Sequence, residues 1–170
     1  MKATLETINQ MQAAGIIGKY AIGGAVGATF YLEPAATVDL DVFAILPALP
    51  GGSLLSLTPI YDYLIAQGGK VQDEYIVIGE WPVQFLPPAN DLELEAVNEA
   101  TATKVEDVDT WVMSAEHLVA IALRTGRAKD HNRILQFVEQ KALNRGKLRT
   151  ILDRHGLAAK WNEFERKFLE

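Results

Sequence analysis

The 170-residue sequence contains no cysteine. This absence excludes disulfide bonds and metal sites built from thiolates, and it is consistent with an intracellular protein. Long apolar runs are also missing, because no stretch approaches the roughly 20 residues that a membrane-spanning helix requires. The opening segment MKATLETINQ lacks the apolar core of a secretory signal. We therefore expect a cytoplasmic protein that makes no use of a membrane.

What is present indicates a packed globular protein with an uneven charge distribution. Hydrophobic residues make up 49% of the chain and charged residues 22%, which excludes a disordered polypeptide. The net charge is −6, yet residues 124–167 contain 12 Lys and Arg against 5 Asp and Glu. This basic segment is either a solvated helix surface or a flank that binds phosphate or RNA beside an acidic centre.

Apolar periodicity and turn residues predict an α+β fold, with a mixed β-sheet flanked by helices in residues 1–113 and a helical subdomain in residues 114–170. Ser114 is the expected N-cap of the first helix of that subdomain. An apolar stripe near the C-terminus is expected to pack as core. The stripe consists of Leu157, Trp161, Phe164 and Phe168. Predicted helices cover 3–14, 25–32, 58–67, 91–101, 114–126 and most of the chain from 128; predicted strands cover 19–22, 38–46, 70–78 and 82–86, with short strands at 103–105 and 111–113.

Two aspartates interrupt the otherwise apolar strand predicted over 38–46. Residues i and i+2 of a strand point to one face, so Asp39 and Asp41 would project together with Cα atoms about 6.6–6.8 Å apart. Two carboxylates on one face repel each other, and burying them unpaired is costly. Mg²⁺ is a common partner for such a pair. The alternative is a solvent-facing strand that carries two acids.

A glycine pair, Gly23-Gly24, follows the strand predicted over 19–22 and opens the next helix. Glycine lets the backbone approach a ligand closely, and the first turn of a helix offers free N–H groups to anions. The pair is therefore either a phosphate cradle or an ordinary turn. The order of the elements, with the glycine pair first and the D-x-D strand next, favours the cradle.

These residues resemble the nucleotidyltransferase superfamily, which includes polymerase beta, aminoglycoside nucleotidyltransferases and AbiEii-type toxins. The resemblance lies in AIGGAVGATFYL followed by TVDLDVFAI, where Gly23, Gly24, Asp39 and Asp41 match the family pattern. A later stretch, VMSAEHLVAIALRTGRAKDHNRI, is similar to the helical segment of AbiEii-like minimal bacterial members, in which an Arg-x-Lys-Asp run opens a helix. The resemblance implies a nucleotidyltransferase-like fold over roughly residues 15–140.

The resemblance also implies an activity: the two-metal transfer of a nucleoside monophosphate from an NTP to an acceptor hydroxyl. The two glycines would hold the triphosphate, and Asp39 and Asp41 would hold Mg²⁺.

The Arg-x-Lys-Asp run supplies three further candidates for nucleotide binding. Lys129 would contact a triphosphate oxygen, or it is an ordinary surface lysine. Asp130 would pair with Arg127 or Lys129, or cap the helix that follows. The basic C-terminal helices would contact RNA.

One position departs from the family pattern. The third acid of the family belongs on the strand WPVQFLPP, where this chain has Gln84. Glutamine offers a carbonyl oxygen to a metal, but it carries no charge and cannot act as a base. Glu80, Asp73 and Glu74 lie nearby in sequence as weaker substitutes.

Two hypotheses follow from this substitution. The first is a Mg²⁺-dependent nucleotidyltransferase that acts on RNA. The second is a nucleotide- or nucleic-acid-binding protein of the same fold with little catalysis, serving as a toxin–antitoxin component. The glycine pair and the aspartates favour the first, and Gln84 favours the second. His117, His131 and His155 have no metal-ligand spacing and are expected to be structural or surface residues.

Overall fold

The computed structural model describes residues 1–34, 36–37, 39–52 and 54–170. Within these residues the helices are α1 Lys2–Ala13, α2 Gly24–Ala28, α3 Thr58–Ala66, α4 Asp91–Asn98, α5 Ala115–Thr125, α6 Ala128–Glu139, α7 Arg145–Arg154 and α8 Ala158–Phe168. The strands are β1 Tyr20–Ile22, β2 Leu40–Ala44, β3 Lys70–Gln72, β4 Tyr75–Ile78, β5 Trp81–Leu86, β6 Thr101–Val105 and β7 Val108–Val112.

The strands of the described residues form one seven-stranded mixed sheet in the order β3-β4-β5-β2-β1-β7-β6. Strand β2 pairs in parallel with β5 and antiparallel with β1, while β1 pairs in parallel with β7. The outer pairs β3–β4, β4–β5 and β6–β7 are antiparallel hairpins. The predicted α+β class with a mixed sheet is therefore confirmed.

The alternation of side chains along β2 assigns the two faces of the sheet. Leu40, Val42 and Ala44 are completely buried in the core formed with α1 and α3. Phe43 points the other way, into the core formed with α4 to α8. Because Asp41 has the parity of Phe43, it lies on the face covered by the C-terminal helices. None of the described helices combines the length and apolarity needed to cross a membrane.

The second core joins the C-terminal helices to the sheet. Phe137 of α6 and Leu152 of α7 have no exposed surface, and they share one apolar cluster with Ala21 of β1 and Phe43 of β2. The stripe on α8 follows the prediction in part. Trp161 and Phe164 are buried and Leu157 is 7% exposed, whereas Phe168 at the end of the stripe is 39% exposed. The proposed boundary between residues 113 and 114 stays a prediction.

Several predicted element boundaries were wrong for identifiable reasons. The strand predicted over 70–78 is two strands, because Asp73 has a positive φ of 53° and begins a tight turn. The helix predicted over 25–32 ends at Ala28. Helix α3 begins at Thr58, as predicted, with Leu57 at the N-cap position. Ser114 caps α5 as expected, with its Oγ accepting from the N–H of His117 at 3.3 Å.

A polar network around Glu95 ties α4 to α5 and α7. One carboxylate oxygen lies 3.1 Å from Nε2 of His117, and the other lies 2.8 Å from Arg154 and 2.9 Å from Nε2 of His155. Partial burial opposes ionisation of Glu95, but the hydrogen bonds from Arg154, His117 and His155 outweigh it and lower its pKa to about 2. The network is therefore a polar link between three of the helices that cover the sheet.

We expect Glu95→Gln to lower the free energy of unfolding by about 2–3 kcal/mol at pH 7, because it leaves the buried His117, the half-buried His155 and the more exposed Arg154 without a carboxylate. A lowered folded-state pKa contributes stability that is present above the unfolded pKa of 4.5 and is lost as the pH falls towards 2. The difference between variant and wild type should therefore shrink over that range in urea unfolding experiments.

Glu99→Gln is the matched control, because Glu99 is half exposed and lies 3.9 Å from the same His117. It should change stability by less than about 0.5 kcal/mol. Equal losses in the two variants would show that Glu95 does not anchor the helices.

Candidate functional site

A cavity of about 500 Å³ lies where β1 ends and β2 begins, under the end of α5 and the start of α6. We call it the sheet-edge cavity. It brings together residues that are far apart in sequence, from the glycine pair to the Arg-x-Lys-Asp run. Seven of the predicted site residues line it: Gly24, Asp39, Asp41, Gln84, Arg127, Lys129 and Asp130.

The glycine pair is packed directly against Asp41. The N–H of Gly23 donates to the backbone carbonyl of Asp41 at 3.0 Å, which joins the end of β1 to β2. Gly24 has a φ of 58°, and a Cβ atom placed on it would overlap the Asp41 carboxylate. A Cβ on Gly23 would lie 2.7 Å from the ring of Phe43. Glycine at position 24 therefore leaves the space that the Asp41 carboxylate occupies, and glycine at position 23 leaves space for the ring of Phe43.

Asp41 is a half-buried carboxylate without a close cationic partner. Burial and the negative charge of Asp39 raise its pKa, while Arg133, Lys129 and Arg127 act in the opposite direction from a distance. None of the ion pairs within 4.0 Å that the described residues form includes Asp39 or Asp41. The two carboxylates therefore repel each other, and a bound cation would relieve this repulsion.

Asp39 reaches the cavity from a different position than the sequence predicted. It was expected inside a strand over 38–46, but β2 begins at Leu40, so Asp39 precedes the strand. Position 38 lies outside the described residues. The negative charge of Asp39 raises the pKa of the Tyr75 hydroxyl, which places the start of β4 beside the aspartates. Both aspartates line one cavity, as the D-x-D spacing predicted.

Gln84 is the direct neighbour of Asp41 in the sheet. The two residues are register partners in the parallel pair of β2 and β5, so their side chains leave the same face. Gln84, at the position where the family resemblance led us to expect a third acid, therefore lies beside Asp41. The side chain at that position is a neutral amide.

The Arg-x-Lys-Asp run begins α6 through a tight ion pair. Asp130 accepts from Nε of Arg127 at 2.7 Å and from the backbone N–H of Arg127 at 3.2 Å. Burial opposes ionisation of Asp130, yet the hydrogen bonds from Arg127 lower its pKa. Asp130 therefore pairs with Arg127 and also caps α6, which are two of the alternatives that the sequence left open. Lys129, exposed on the same turn, lines the cavity.

Sequence reasoning did not name Tyr75, Glu93 or Arg133, which line the cavity, and it named Glu74 only as a weaker substitute for the third acid. No local pattern marks them, because β4, α4 and α6 meet only through sheet pairing and helix packing. Glu74 belongs to the turn before β4 and lines the cavity. Of the other two acids proposed as substitutes, neither Asp73 nor Glu80 is among the described residues that line it.

A second group of potential ligand atoms lies elsewhere, where Glu95, Glu99 and His117 place one atom each within 4.8 Å of one another. Burial lowers the pKa of His117, so its imidazole is neutral. Arg154 and His155 already occupy the other oxygen of Glu95. We therefore assign this group to the packing of the helices and not to the sheet-edge cavity.

No protein-family model matches this sequence, and no curated protein matches it. Solved structures do. A nucleotidyltransferase-like antigenic protein from Paracoccidioides brasiliensis is 14% identical, with 94% of this chain and 90% of that chain covered and a TM-score of 0.57. The antibiotic-resistance factor ANT(2″)-Ia, in complex with adenylyl-2″-tobramycin, is 16% identical over 92% of this chain and 98% of that chain, with a TM-score of 0.52. A solution structure of ANT(2″)-Ia gives 14% identity, 98% and 96% coverage, and a TM-score of 0.51. These likenesses show that the chain has a nucleotidyltransferase-like fold.

Replacing Gly24 by alanine should be strongly destabilising. The variant has to adopt a positive φ with a side chain and also displace the Asp41 carboxylate, so we expect a loss of about 2–4 kcal/mol in the free energy of unfolding. Gly15→Ala is the matched control, because Gly15 has a φ of 73° and no atom near the position of its Cβ. It should lose only about 1 kcal/mol in the same urea titration. Equal losses would contradict the close packing of Gly24 against Asp41.

Replacing Asp41 by asparagine should stabilise the metal-free protein at pH 7. Burial and Asp39 raise the folded-state pKa of Asp41, so its protonated carboxyl stabilises the wild type fully below the unfolded pKa of 3.8, and that stability is lost as the pH rises through the folded value, whereas asparagine is neutral at every pH. Wild type and variant should therefore converge at low pH in thermal unfolding. Asp62→Asn, an exposed change on α3, should leave the profile unaltered. A variant that is less stable than wild type at pH 7 would contradict the unpaired state of Asp41.

Proposed function

We propose that this chain is a Mg²⁺-dependent nucleotidyltransferase that transfers a nucleoside monophosphate from an NTP to an acceptor hydroxyl on RNA. The observation that carries the proposal is the sheet-edge cavity, in which Gly24 is packed against Asp41 while Asp39 and Lys129 line the same space. The fold that the chain shares with nucleotidyltransferase-like structures supports it. The ANT(2″)-Ia complex contains an adenylyl group joined to tobramycin, so a protein of this fold is seen with a nucleotidyl product.

The donor set of the cavity fits a hard divalent cation. Carboxylate and amide oxygens are the ligands that Mg²⁺ takes, and Asp39, Asp41 and Gln84 offer oxygens only. The raised pKa of Asp41, caused by burial and by Asp39, is the condition that a dication relieves. A bound Mg²⁺ supplies charge neutralisation at the attacking and leaving oxygens of phosphoryl transfer.

The remaining residues would orient the NTP and its triphosphate. Glycine at positions 23 and 24 lets the chain reverse direction directly beside Asp41, so a triphosphate can approach the backbone of α2. Lys129 presents a compact, mobile positive charge to the triphosphate oxygens. Arg127 is already paired with Asp130, so it would position the start of α6 and contribute long-range positive charge.

Proton removal from the acceptor needs a carboxylate that Gln84 does not supply. Two of the other acids in the cavity have structural duties, because Glu93 accepts from the N–H of Ala89 at 2.7 Å and Asp130 caps α6. Glu74, exposed at the rim of the cavity, is the acid we assign to this role. Glu74 is the chain neighbour of Tyr75, whose hydroxyl lies near Asp39, and all three residues line the cavity, which supports this assignment.

Gln84 favours a second candidate function, that of a nucleotide- or nucleic-acid-binding protein of this fold with little or no catalysis, acting as a toxin–antitoxin component. A neutral amide beside Asp41 would weaken the metal site nearest the reacting hydroxyl more than it weakens NTP binding. The grouping of this chain with AbiEii-type proteins stays a prediction.

Labelled NTP, Mg²⁺ and bulk tRNA test the two candidates directly. The enzyme hypothesis expects label transfer by wild type and a loss of at least about 100-fold in Asp41→Asn, because one proposed metal ligand is gone. Asp62→Asn serves as the control for a change of charge alone. Mg²⁺-dependent NTP binding without transfer to any acceptor would favour the binding protein, and an absence of both would overturn the proposal.

Gln84→Glu distinguishes two hypotheses: an enzyme whose metal site lacks one charged ligand, and a protein that uses the amide of Gln84. If the third acid is simply missing, the variant should transfer label faster and require less Mg²⁺, since it gains a charged ligand next to Asp41. Glu74→Gln should abolish transfer while leaving NTP binding in place. A rate unaffected by Glu74→Gln would contradict the assignment of Glu74 as the base.

A further inference from the structure

A second cavity, of about 230 Å³, adjoins the sheet-edge cavity at Thr125, which lines both. We call it the aromatic cavity. Its walls carry the rings of His131, Phe164 and Phe168 together with Lys160, Lys167 and Glu163. It therefore combines aromatic surface with positive charge directly beside the place proposed for the NTP.

The aromatic side chains form one continuous group with an exposed end. The ring of His131 lies 5.6 Å from that of Phe164 and 5.3 Å from that of Phe168, between centroids. Phe164 is buried, but Phe168 is 39% exposed even though it continues the apolar stripe of α8. An exposed aromatic ring on such a stripe offers a stacking face that the core of this chain does not use.

The cations are placed for a phosphate-bearing ligand. Nζ of Lys167 lies 5.2 Å from the centroid of Phe168, and Nζ of Lys160 donates to the carbonyl of Arg124 at 2.9 Å. Gly126 also lines the aromatic cavity, and a Cβ added to it would lie 3.4 Å from Nζ of Lys160. Aromatic rings flanked by lysines are the usual means by which proteins hold single-stranded nucleic acid without reading a long sequence.

We infer that the aromatic cavity binds the terminal nucleobase of the single-stranded acceptor RNA, and this inference rests on the proposed function. The sheet-edge cavity is about 500 Å³ and has its own apolar wall, which includes Leu118 and Ile121, so the nucleoside of the NTP can be accommodated there. The aromatic cavity is then left for a second base. Thr125 is common to both cavities, so the terminal hydroxyl of the acceptor can extend towards the triphosphate.

Glu163 gives the aromatic cavity a base preference. A carboxylate accepts hydrogen bonds, and adenine, cytosine and guanine each carry an exocyclic amino group that donates, whereas uracil donates only through its N3–H, which lies between two carbonyl oxygens that a carboxylate repels. Acceptors that end in cytidine should therefore bind more tightly than acceptors that end in uridine. Glu163→Gln should reduce that difference.

Binding of a short oligoribonucleotide with 2-aminopurine at its 3′ end tests the inference, because stacking of this base quenches its fluorescence. Wild type should quench the probe, and Phe168→Ala should weaken binding about 10-fold, in line with the loss of one stacked base. Phe30→Ala is the matched control, since Phe30 is 36% exposed and lies outside the lining of both cavities. Lys167→Gln should weaken binding and reduce its dependence on salt.

The outcomes separate this inference from the proposed function. Quenching that depends on Phe168 supports the inference even if wild type transfers no label to RNA. Wild type that quenches the probe but transfers no label therefore contradicts only the proposed function. Mg²⁺-dependent NTP binding that weakens in Phe168→Ala, with oligonucleotide binding unchanged, would overturn the inference by assigning the cavity to the base of the NTP. Equal binding of the probe by Phe168→Ala and wild type would overturn it as well.

Discussion

The close approach of Gly24 to Asp41 is the constraint on which the site depends. The Gly23 N–H and the Asp41 carbonyl join the end of β1 to β2 through a 3.0 Å hydrogen bond, and the Asp41 carboxylate occupies space that any side chain at position 24 would fill. The alternation of side chains along β2 determines the direction of Asp41. Because Leu40 and Val42 pack on the opposite face, Asp41 points towards the C-terminal helices. A one-residue shift of this strand would bury the carboxylate among α1 and α3.

The electrostatics of the sheet-edge cavity follow from where its charges are already paired. Asp130 is neutralised by Arg127, and Glu93 is engaged at the start of α4, so these acids stabilise helices. Asp39 and Asp41 lack such partners among the described residues, and burial raises the pKa of Asp41. The protein holds this unfavourable arrangement through the two cores on either side of the sheet. Functional sites commonly retain charge that the fold alone would not select.

The helical layer positions the cavity residues that come from α5 and α6, including Arg127, Lys129 and Asp130. Glu95 links α4, α5 and α7 through His117, His155 and Arg154, and the core around Phe137 holds α6 against the sheet. The turn between α5 and α6 is thereby placed over the ends of β1 and β2. The site is thus assembled from residues on both sides of the boundary that we predict between residues 113 and 114.

The sequence alone determined much of the local chemistry: the glycine pair, the D-x-D spacing and the Ser114 cap all depend on neighbours within a few residues, whereas the partner of Asp130 stayed open between Arg127 and Lys129. It also located Gln84, because the apolar flanks of that residue mark a strand. Only the tertiary structure decided what those residues meet. Asp39 lies before β2 and not within it, Phe168 leaves the core that its periodicity predicted, and Glu74 reaches the cavity through strand pairing. The physical reason is that turns, caps and alternation are short-range, whereas cavities form where elements distant in sequence pack together.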